Sequence, residues 1–349
     1  MNRNLFIFLL FSIIGVTHGL DCTQIPDSAI KNGYHVVLPL NSPAPAFLPP
    51  NFNCTYLIKV FEMQYATITL TNGLLGSNDF IIVDEGFGKR TTVTSRSSYS
   101  LTFYVFPNTT ASVQVTTKSV NMYSRFLIDI DYEKMFAPYA FPLQKYEVMN
   151  YYSLRKLQVP NYYNPQTLYS KEPIHLSLAQ ANWPATIFDN YFVIDGDFNT
   201  PVSIHRLSEF VDASFVTTTN NITLLGLDKT VLDFAIVLNP LSEAVKFDAL
   251  RAESSLKAIH RVTIDAMNSK KAVEFVSVNS NQITLTSIGF SNYFPNRTAK
   301  IVTGPPNSYS ELVLDMVNDE YIQPFPIPLR YFTLILENCS LTFSLWSPS

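Results

Sequence analysis

The segment LPPNFNCTYLI spans residues 48–58, and the segment DFIIVDEG spans residues 79–86. Each contains a short apolar run bounded by turn-forming residues, which is typical of a β-strand. Similar runs lie at 66–70, 101–106, 112–117 and 126–132. The first third of the chain is therefore predicted to consist of short strands joined by turns.

The run at 126–132 also shows which faces these strands bury. One face carries Phe126, Ile128, Ile130 and Tyr132, and the other carries Leu127, Asp129 and Asp131. This period of two is expected where one face of a sheet is packed and the other is solvated. Six strands at this spacing predict a β-sandwich.

The order of these motifs resembles the nematode CUB-like family of secreted proteins. Cys22 is followed by an approach rich in proline and asparagine, then by the N-C-T-Y segment at 53–56 and the D-F-I-I-V-D-E-G segment at 79–86. The resemblance covers Leu20 to Lys134. It implies a jelly-roll sandwich and an extracellular role in defence against microbes or in stress.

The chain has three cysteines, so one is left over after pairing. Cys22 and Cys54 lie within one predicted domain and are expected to form a disulfide, as thiols in oxidising compartments usually do. Cys339 is then a buried thiol or bridges to a second chain. The apolar positions around it favour burial.

Some CUB domains bind calcium through three acidic residues, and this chain departs from that pattern. Asp79 stands where one ligand would be, but Thr71 and Asn72 occupy the place of the second. Calcium prefers six to eight oxygen ligands, several of them charged. We therefore predict no metal site, and Asp79 is expected to be a turn or strand-end residue.

The N-terminus reads as a signal peptide. Arg3 precedes an apolar run from Leu5 to Val16, and small residues precede a cleavage site after Gly19. A retained membrane anchor is the alternative, although the run is shorter than the ~20 residues that span a bilayer. No later apolar stretch is long enough, so we predict a secreted protein with no membrane span.

The predicted fold class is all-β, with a CUB-like β-sandwich of jelly-roll type followed by one or two further β-rich domains. The segments are a signal peptide at 1–19, the CUB-like domain at 20–134, a linker at 135–173, a β-rich region at 174–240, and a helix followed by a β-rich region at 241–349. The helix is predicted from Ser242 to His260, because Val245, Ala249, Ala252, Leu256 and Ile259 recur at spacings of three and four.

The β-rich region at 174–240 could repeat the first domain. Asp189 to Gly196 parallels Asn78 to Gly86, and Val231 to Leu238 would then correspond to Phe126 to Tyr132. Chance similarity between strands is the alternative.

The segment 135–173 is rich in proline and tyrosine, which predicts a linker or an irregular crossing. Its tyrosines either pack between domains or form a ligand-stacking platform. They are Tyr146, Tyr151, Tyr152, Tyr162, Tyr163 and Tyr169.

Enzyme motifs are incomplete throughout. No two histidines of the mature chain have metal-pair spacing, no G-x-S-x-G elbow is present, and no glycine-rich phosphate loop precedes a helix. Gly73, Gly76, Gly86 and Gly88 are instead expected at turns with positive φ. We predict no catalytic residue and no cofactor. The alternative is a secreted hydrolase that uses a carboxylate pair such as Asp195 and Asp197.

The net charge and the N-x-S/T sequons indicate which partners and which modifications to expect. A net charge of −4 offers no basic field for a nucleic acid partner. Sequons occur at Asn53, Asn108, Asn221, Asn296 and Asn338. Asn108 and Asn296 are the best glycosylation candidates because each follows a proline in a polar turn, whereas Asn53 and Asn338 adjoin cysteines. The sequence thus predicts an extracellular protein that binds a glycan, a microbial surface or a protein.

Overall fold

The computed structural model describes residues 20, 22–40, 42–120, 123–144, 148–159, 162–180, 183–227, 230 and 232–348. The predicted signal peptide lies outside these described residues. The chain divides into two compact units, the first ending at Lys134 and the second beginning at Met135.

Unit 1 is a β-sandwich of two antiparallel sheets. Its strands are β1 (His35–Leu38), β2 (Ala46–Phe47), β3 (Asn53–Lys59), β4 (Gln64–Gly73), β5 (Phe80–Asp84), β6 (Arg90–Thr94), β7 (Ser100–Val105), β8 (Thr110–Thr116) and β9 (Arg125–Lys134). One sheet has the order β1-β9-β4-β7, with β2 also paired to β9, and the other has the order β3-β8-β5-β6. A short 3-10 turn, Asp27–Ala29, precedes β1.

Burial in unit 1 follows the predicted period of two. In β9, Phe126, Ile128 and Ile130 are fully buried, whereas Asp129 and Asp131 lie on the more exposed face. Burying each such apolar side chain contributes roughly 1.5 to 3 kcal/mol. The strongly alternating sequence thus forms one face of the sandwich core, and the predicted fold class is confirmed.

The predicted disulfide is present in unit 1. Cys22 and Cys54 are bonded, with Cα atoms 5.6 Å apart, and the bond joins the N-terminal segment to β3. The cysteines are 32 residues apart. Closing such a loop stabilises the fold by about 3 to 4 kcal/mol in the chain-entropy account.

The first region of unit 2 is a second sandwich. Its strands are β10 (Tyr139–Pro142), β11 (Asn150–Ser153), β12 (Gln166–Tyr169), β13 (Ile174–Ala179), β14 (Tyr191–Gly196), β15 (Pro201–Arg206), β16 (Phe215–Val216), β17 (Asn221–Gly226) and β18 (Ala235–Pro240). The sheets have the orders β11-β18-β13-β16 and β10-β12-β17-β14-β15. The 3-10 turns Leu154–Leu157, Ala185–Phe188 and Leu207–Phe210 lie between strands.

This second sandwich has the strand order of the first. The order β11-β18-β13-β16 corresponds to β1-β9-β4-β7, and β12-β17-β14-β15 corresponds to β3-β8-β5-β6. Strand β14, which carries Asp195, takes the place of β5, and β18 takes the place of β9. These are the correspondences that the predicted repeat requires.

The prediction of a linker at 135–173 differs from the structure. This segment belongs to unit 2 and supplies β10, β11 and β12. Leu154, Leu157 and Leu168 are buried in the core of the second sandwich. Pro138, Pro142, Pro165 and Pro173 lie at the ends of short strands, so the density of proline does not indicate an unstructured crossing.

The last region of unit 2 is a third β-structure. Its strands are β19 (Ala249–Ser254), β20 (His260–Asp265), β21 (Lys270–Val276), β22 (Ile283–Thr303), β23 (Leu312–Asp315), β24 (Phe325–Ile327) and β25 (Tyr331–Trp346). The long strands β22 and β25 pair along most of their length, with register shifts that permit bending. Phe275, Phe332 and Phe343 pack in the enclosed core.

The predicted helix from Ser242 to His260 is wrong. One helical turn spans Leu241–Ala244, and β19 then pairs in parallel with β21. Leu250 and Ala252 are buried at alternate positions, as in a strand, whereas Val245 and Ile259 are exposed. The spacing of three and four therefore arose from a helical turn, one strand and the connection that follows it. No helix among the described residues is long and apolar enough to cross a membrane.

Candidate functional site

The strand pairing of unit 1 brings four connections to one end of the sandwich. Gly73 at the end of β4 lies opposite Arg125, Thr71 lies opposite Ser100, and Phe80 at the start of β5 lies opposite Thr116. We name this surface the loop end, and it comprises residues 46–48, 74–79, 95–99, 117–120 and 123–124.

Asp79 holds two of these connections together. Its Oδ1 accepts hydrogen bonds from Lys118 N (2.9 Å), Ser119 N (3.0 Å) and Ser119 Oγ (2.8 Å), and its Oδ2 accepts one from Ser124 Oγ (2.6 Å). The side chain is buried. Burial alone would raise the pKa of Asp79, but the hydrogen bonds from Ser124, Lys118 and Ser119 outweigh it and lower the pKa. Asp79 is therefore a buried, ionised anchor for the loops.

Ser124 extends this network to the β4–β5 connection. Its Oγ accepts hydrogen bonds from Leu75 N (3.0 Å) and Gly76 N (3.3 Å), and its carbonyl oxygen accepts one from Leu48 N (2.9 Å). Three separate segments are thus fixed around one buried serine.

Asn72 fixes the fourth connection. Its Nδ2 donates to Thr94 O (2.9 Å), its backbone N donates to Tyr99 O (2.7 Å), and its Oδ1 accepts from Leu74 N (3.2 Å). In the sequence, Asn72 lies where the calcium-binding pattern would require a carboxylate. Its amide instead holds the β6–β7 turn.

Gly76 is required by close packing in this network. A Cβ at this position would lie 1.8 Å from Ser119 Oγ and 2.3 Å from Asp79 Oδ2. The prediction of positive φ holds at Gly86 and Gly88 and is wrong at Gly73 and Gly76. At Gly76 the constraint is space beside Asp79 and not backbone conformation.

The outer surface of the loop end carries several exposed apolar side chains among polar ones. The side chains of Leu75 (69% exposed), Tyr99 (68%), Val120 (83%) and Tyr123 (64%) face solvent. Phe47 is half-exposed, and the Arg125 guanidinium lies 3.9 Å from the centroid of its ring. Exposed apolar residues gathered on adjoining loops are typical of interaction surfaces.

The carboxylates of the alternative hydrolase both close turns in unit 2. Asp195 is buried and accepts hydrogen bonds from the backbone N and Oγ1 of Thr218 and of Thr219, at 2.7 to 3.2 Å. Asp197 accepts from Asn199 N, Thr200 N and Thr200 Oγ1.

The pKa values of these two carboxylates are both lowered. Burial alone would raise the pKa of Asp195, but the bonds from Thr218 and Thr219 outweigh it. At Asp197 the hydrogen bond from the Thr200 side chain is the largest contribution, and it lowers the pKa. Neither residue has the raised pKa of a general acid.

The remaining predicted residues are not among those that form the loop end, although Asn53 pairs with Thr116 directly beside it. Asn53, Asn108 and Asn296 are exposed, whereas Asn221 and Asn338 are partly buried. Cys339 is a buried free thiol, and its Sγ donates to Thr298 O at 3.4 Å. Among the described residues, no group of three or more His, Cys, Asp or Glu side chains could hold a metal.

Sequence reasoning singled out Asp79 and Gly76 but missed the loop end as a surface. The roles of Ser119, Ser124 and Asn72 depend on strand pairing across ~20 to 50 residues, which no local pattern encodes. The apolar residues in the predicted turn segments were the sequence signal from which this surface could have been predicted.

Comparison with known proteins supports the first part of this description. The model of the CUB-like domain family matches residues 17–136. A search of curated proteins gave no match.

Three similar solved structures extend over most of the chain. The CUB1-EGF-CUB2 domain of human MASP-1/3 is 9% identical, covers 88% of this chain and 97% of that chain, and has a TM-score of 0.21. The triple jelly-roll structure from the turret assembly of an archaeal virus is 11% identical, covers 89% of this chain and 86% of that chain, and has a TM-score of 0.22. The full extracellular region of zebrafish Gpr126/Adgrg6 is 9% identical, covers 90% of this chain and 51% of that chain, and has a TM-score of 0.24.

These TM-scores are too low to support any argument about this chain. The family match, the disulfide and the two-sheet sandwich agree with one another. The chain therefore contains a CUB-like domain, which the family model matches over residues 17–136.

Proposed function

We propose that this is a secreted binding protein, without catalytic activity, that recognises its ligand through the loop end of unit 1. One observation carries the proposal: exposed apolar side chains stand on loops that Asp79, Ser124 and Asn72 fix in place. The ligand is an extracellular glycan, a microbial surface or a protein, and the resemblance to the nematode CUB-like family favours a role in defence or stress.

The physical advantage of this arrangement is preorganisation. A mobile loop loses conformational freedom on binding, and each ordered side chain costs about 0.5 to 1.5 kcal/mol. The loop end has already been ordered by folding, because its backbone donors bond to Asp79 and Ser124. Tyr99 and Tyr123 add large contact areas with few rotatable bonds.

The strand order supports a second proposal about unit 2. We assign the β-rich region at 174–240, together with the strands that precede it, to a second CUB-like sandwich. The correspondence of eight strands in the same sheet positions is the observation in its favour.

Secretion predicts that Asn108 and Asn296 carry N-glycans. Asn108 is exposed at the turn between β7 and β8, and Asn296 is exposed where the register of β22 against β25 shifts between Tyr293 and Thr298. After expression in a eukaryotic secretory host, intact mass should fall on enzymatic deglycosylation, and Asn108→Gln and Asn296→Gln should each remove one glycan.

Asn338→Gln is the matched control for this measurement, because Asn338 is partly buried beside Cys339. Its mass should change only by the substitution itself. Secretion of an unglycosylated chain with an intact N-terminus would contradict the proposed processing.

The proposed function is tested by exposing the labelled, purified protein to whole microbial cells and to a glycan array, with a general hydrolase screen on the same sample. Saturable binding without turnover supports recognition. Turnover that is abolished by Asp195→Asn would instead identify a secreted hydrolase and overturn the proposal.

A further inference from the structure

Unit 2 contains a groove of about 790 Å³ that the loop-end proposal does not use. It lies between residues 141, 144, 151–153, 155–157, 163 and 166 of the second sandwich and residues 278–279 and 330 of the third region. This volume falls within the range of ligand sites. We name it the cationic groove and define it by Tyr151, Tyr152, Arg155, Lys156, Tyr163 and Arg330.

The charge of this groove is opposite to that of the chain. It is lined by Arg155, Lys156 and Arg330, and none of the described residues that line it is acidic. The whole chain has a net charge of −4. Arg155 and Lys156 are exposed, and neither forms an ion pair with a described residue. Cations that line one groove and form no ion pair with a described residue favour an anionic ligand.

Arg330 is held in place before any ligand arrives. Its Nη1 donates to Tyr151 Oη (3.3 Å) and its Nη2 donates to Asn281 Oδ1 (2.8 Å). Tyr151 in turn packs on Tyr331, with ring centroids 5.9 Å apart. A guanidinium that is fixed in this way binds a carboxylate or sulfate with little further loss of side-chain entropy.

The aromatic residues supply the second half of the site. Tyr152 packs against the core of the second sandwich, and Tyr163 is 40% exposed. Amide side chains of Gln144, Gln166 and Asn279 also line the groove. Tyrosine rings offer flat apolar faces to the C–H face of a sugar ring, while amides and phenols exchange hydrogen bonds with hydroxyl groups.

We propose that the cationic groove binds an acidic oligosaccharide, one that carries sulfate or carboxylate groups. The combination of tyrosine faces, amides and three cations matches the alternating apolar, hydroxyl and anionic surface of such a chain. The groove consists of unit 2 residues and the loop end of unit 1 residues, so variants of each site distinguish the two proposals.

The test is calorimetric titration of the whole secreted protein with a sulfated heparin hexasaccharide. Saturable binding is expected, and it should weaken as salt rises, because salt screens exposed charges. The variant Arg155→Ser/Lys156→Ser should bind about tenfold more weakly, since it removes two charge-assisted contacts. Tyr163→Ser should weaken binding without changing its salt dependence.

The matched control is Lys171→Ser/Arg261→Ser, which removes two exposed cations of unit 2 outside the groove. It should retain the affinity of the unmodified protein. Circular dichroism establishes that each variant is folded.

A neutral chitin hexasaccharide and a short single-stranded DNA complete the experiment, and neither should compete. No binding of the sulfated hexasaccharide, equal losses in the groove and control variants, or equally tight binding of DNA would each overturn the assignment to acidic sugars.

Discussion

Replacement of Asp79 by alanine is expected to lower the free energy of unfolding of unit 1 by about 3 kcal/mol or more. The substitution removes an ionised acceptor of four hydrogen bonds and leaves the buried Ser124 hydroxyl and two backbone donors without it. Hydrogen bonds to charged groups contribute about 1.5 to 3 kcal/mol each, and unsatisfied buried donors add a penalty. Hydrogen exchange in residues 74–79 and 117–120 should accelerate most.

The matched control for Asp79→Ala is Asp131→Ala. Asp131 is exposed on β9 and contacts His35 at 2.8 Å, an arrangement that contributes at most about 1 kcal/mol. Equal stability of the two variants in urea unfolding would contradict the anchoring role of Asp79.

The pH dependence of Asp79 has a defined sign. Its pKa is lowered in the fold, so its ionised form contributes stability above the ordinary carboxyl pKa of 3.8, and this contribution is lost as pH falls through the lower, folded pKa. The difference between the unmodified protein and Asp79→Ala should therefore shrink in acid.

Replacement of Glu274 by glutamine is expected to stabilise unit 2 at alkaline pH. Glu274 is completely buried, and Asn239 Nδ2 donates to its Oε2 at 2.8 Å. Its Oε1 has no hydrogen-bond partner among the described residues. Burial raises its pKa from 4.5 to about 8, although the bond from Asn239 opposes this.

Because the folded pKa exceeds the unfolded one, Glu274 favours folding below pH 4.5 and loses this contribution as pH rises to about 8. Each pKa unit corresponds to about 1.4 kcal/mol, which sets an upper limit near 5 kcal/mol. Glutamine keeps the shape of the protonated acid and does not ionise. The gain should thus be small at pH 5 and reach a few kcal/mol at pH 8.5.

Urea unfolding of unit 2 at these two pH values measures the effect of Glu274→Gln. The exposed Glu320 provides the control, because Glu320→Gln changes the same group where water solvates it. A gain for Glu274→Gln that is the same at both pH values would show that Glu274 is not titrating in this range.

The fold of unit 1 was largely predictable because its signals are local. Alternation in β9 and the pairing of Cys22 with Cys54 are both visible in short segments, and the structure confirms them. Unit 2 was less predictable. The parallel pairing of β19 with β21 is non-local and leaves no local pattern in the sequence. The local spacing of apolar residues after Leu241 therefore predicts a helix where the structure has a strand.

The candidate site was predictable only in part. Asp79 stood out from its position before β5, but its partners come from the β8–β9 connection, 39 to 45 residues away. The exposure of Leu75 and Tyr99 depends on the conformation that the loops adopt around the hydrogen bonds of Asp79. Residues in turns give no periodic signal, so only the folded arrangement separates surface apolar residues from core ones.

The most direct test of the central claim compares a loop-end variant with a control variant in the cell-binding assay. The loop-end variant is Leu75→Ser/Tyr99→Ser/Val120→Ser/Tyr123→Ser. The control variant, Leu57→Ser/Phe61→Ser, removes apolar side chains that are also exposed in unit 1 but lie outside the loop end.

We predict that the loop-end variant binds at least about tenfold more weakly than the unmodified protein, because a few central aromatic and apolar side chains usually dominate an interface. The control variant should bind as the unmodified protein does, and both should unfold at its urea midpoint. Undiminished binding by the folded loop-end variant would contradict the account and place the recognition surface elsewhere in the chain.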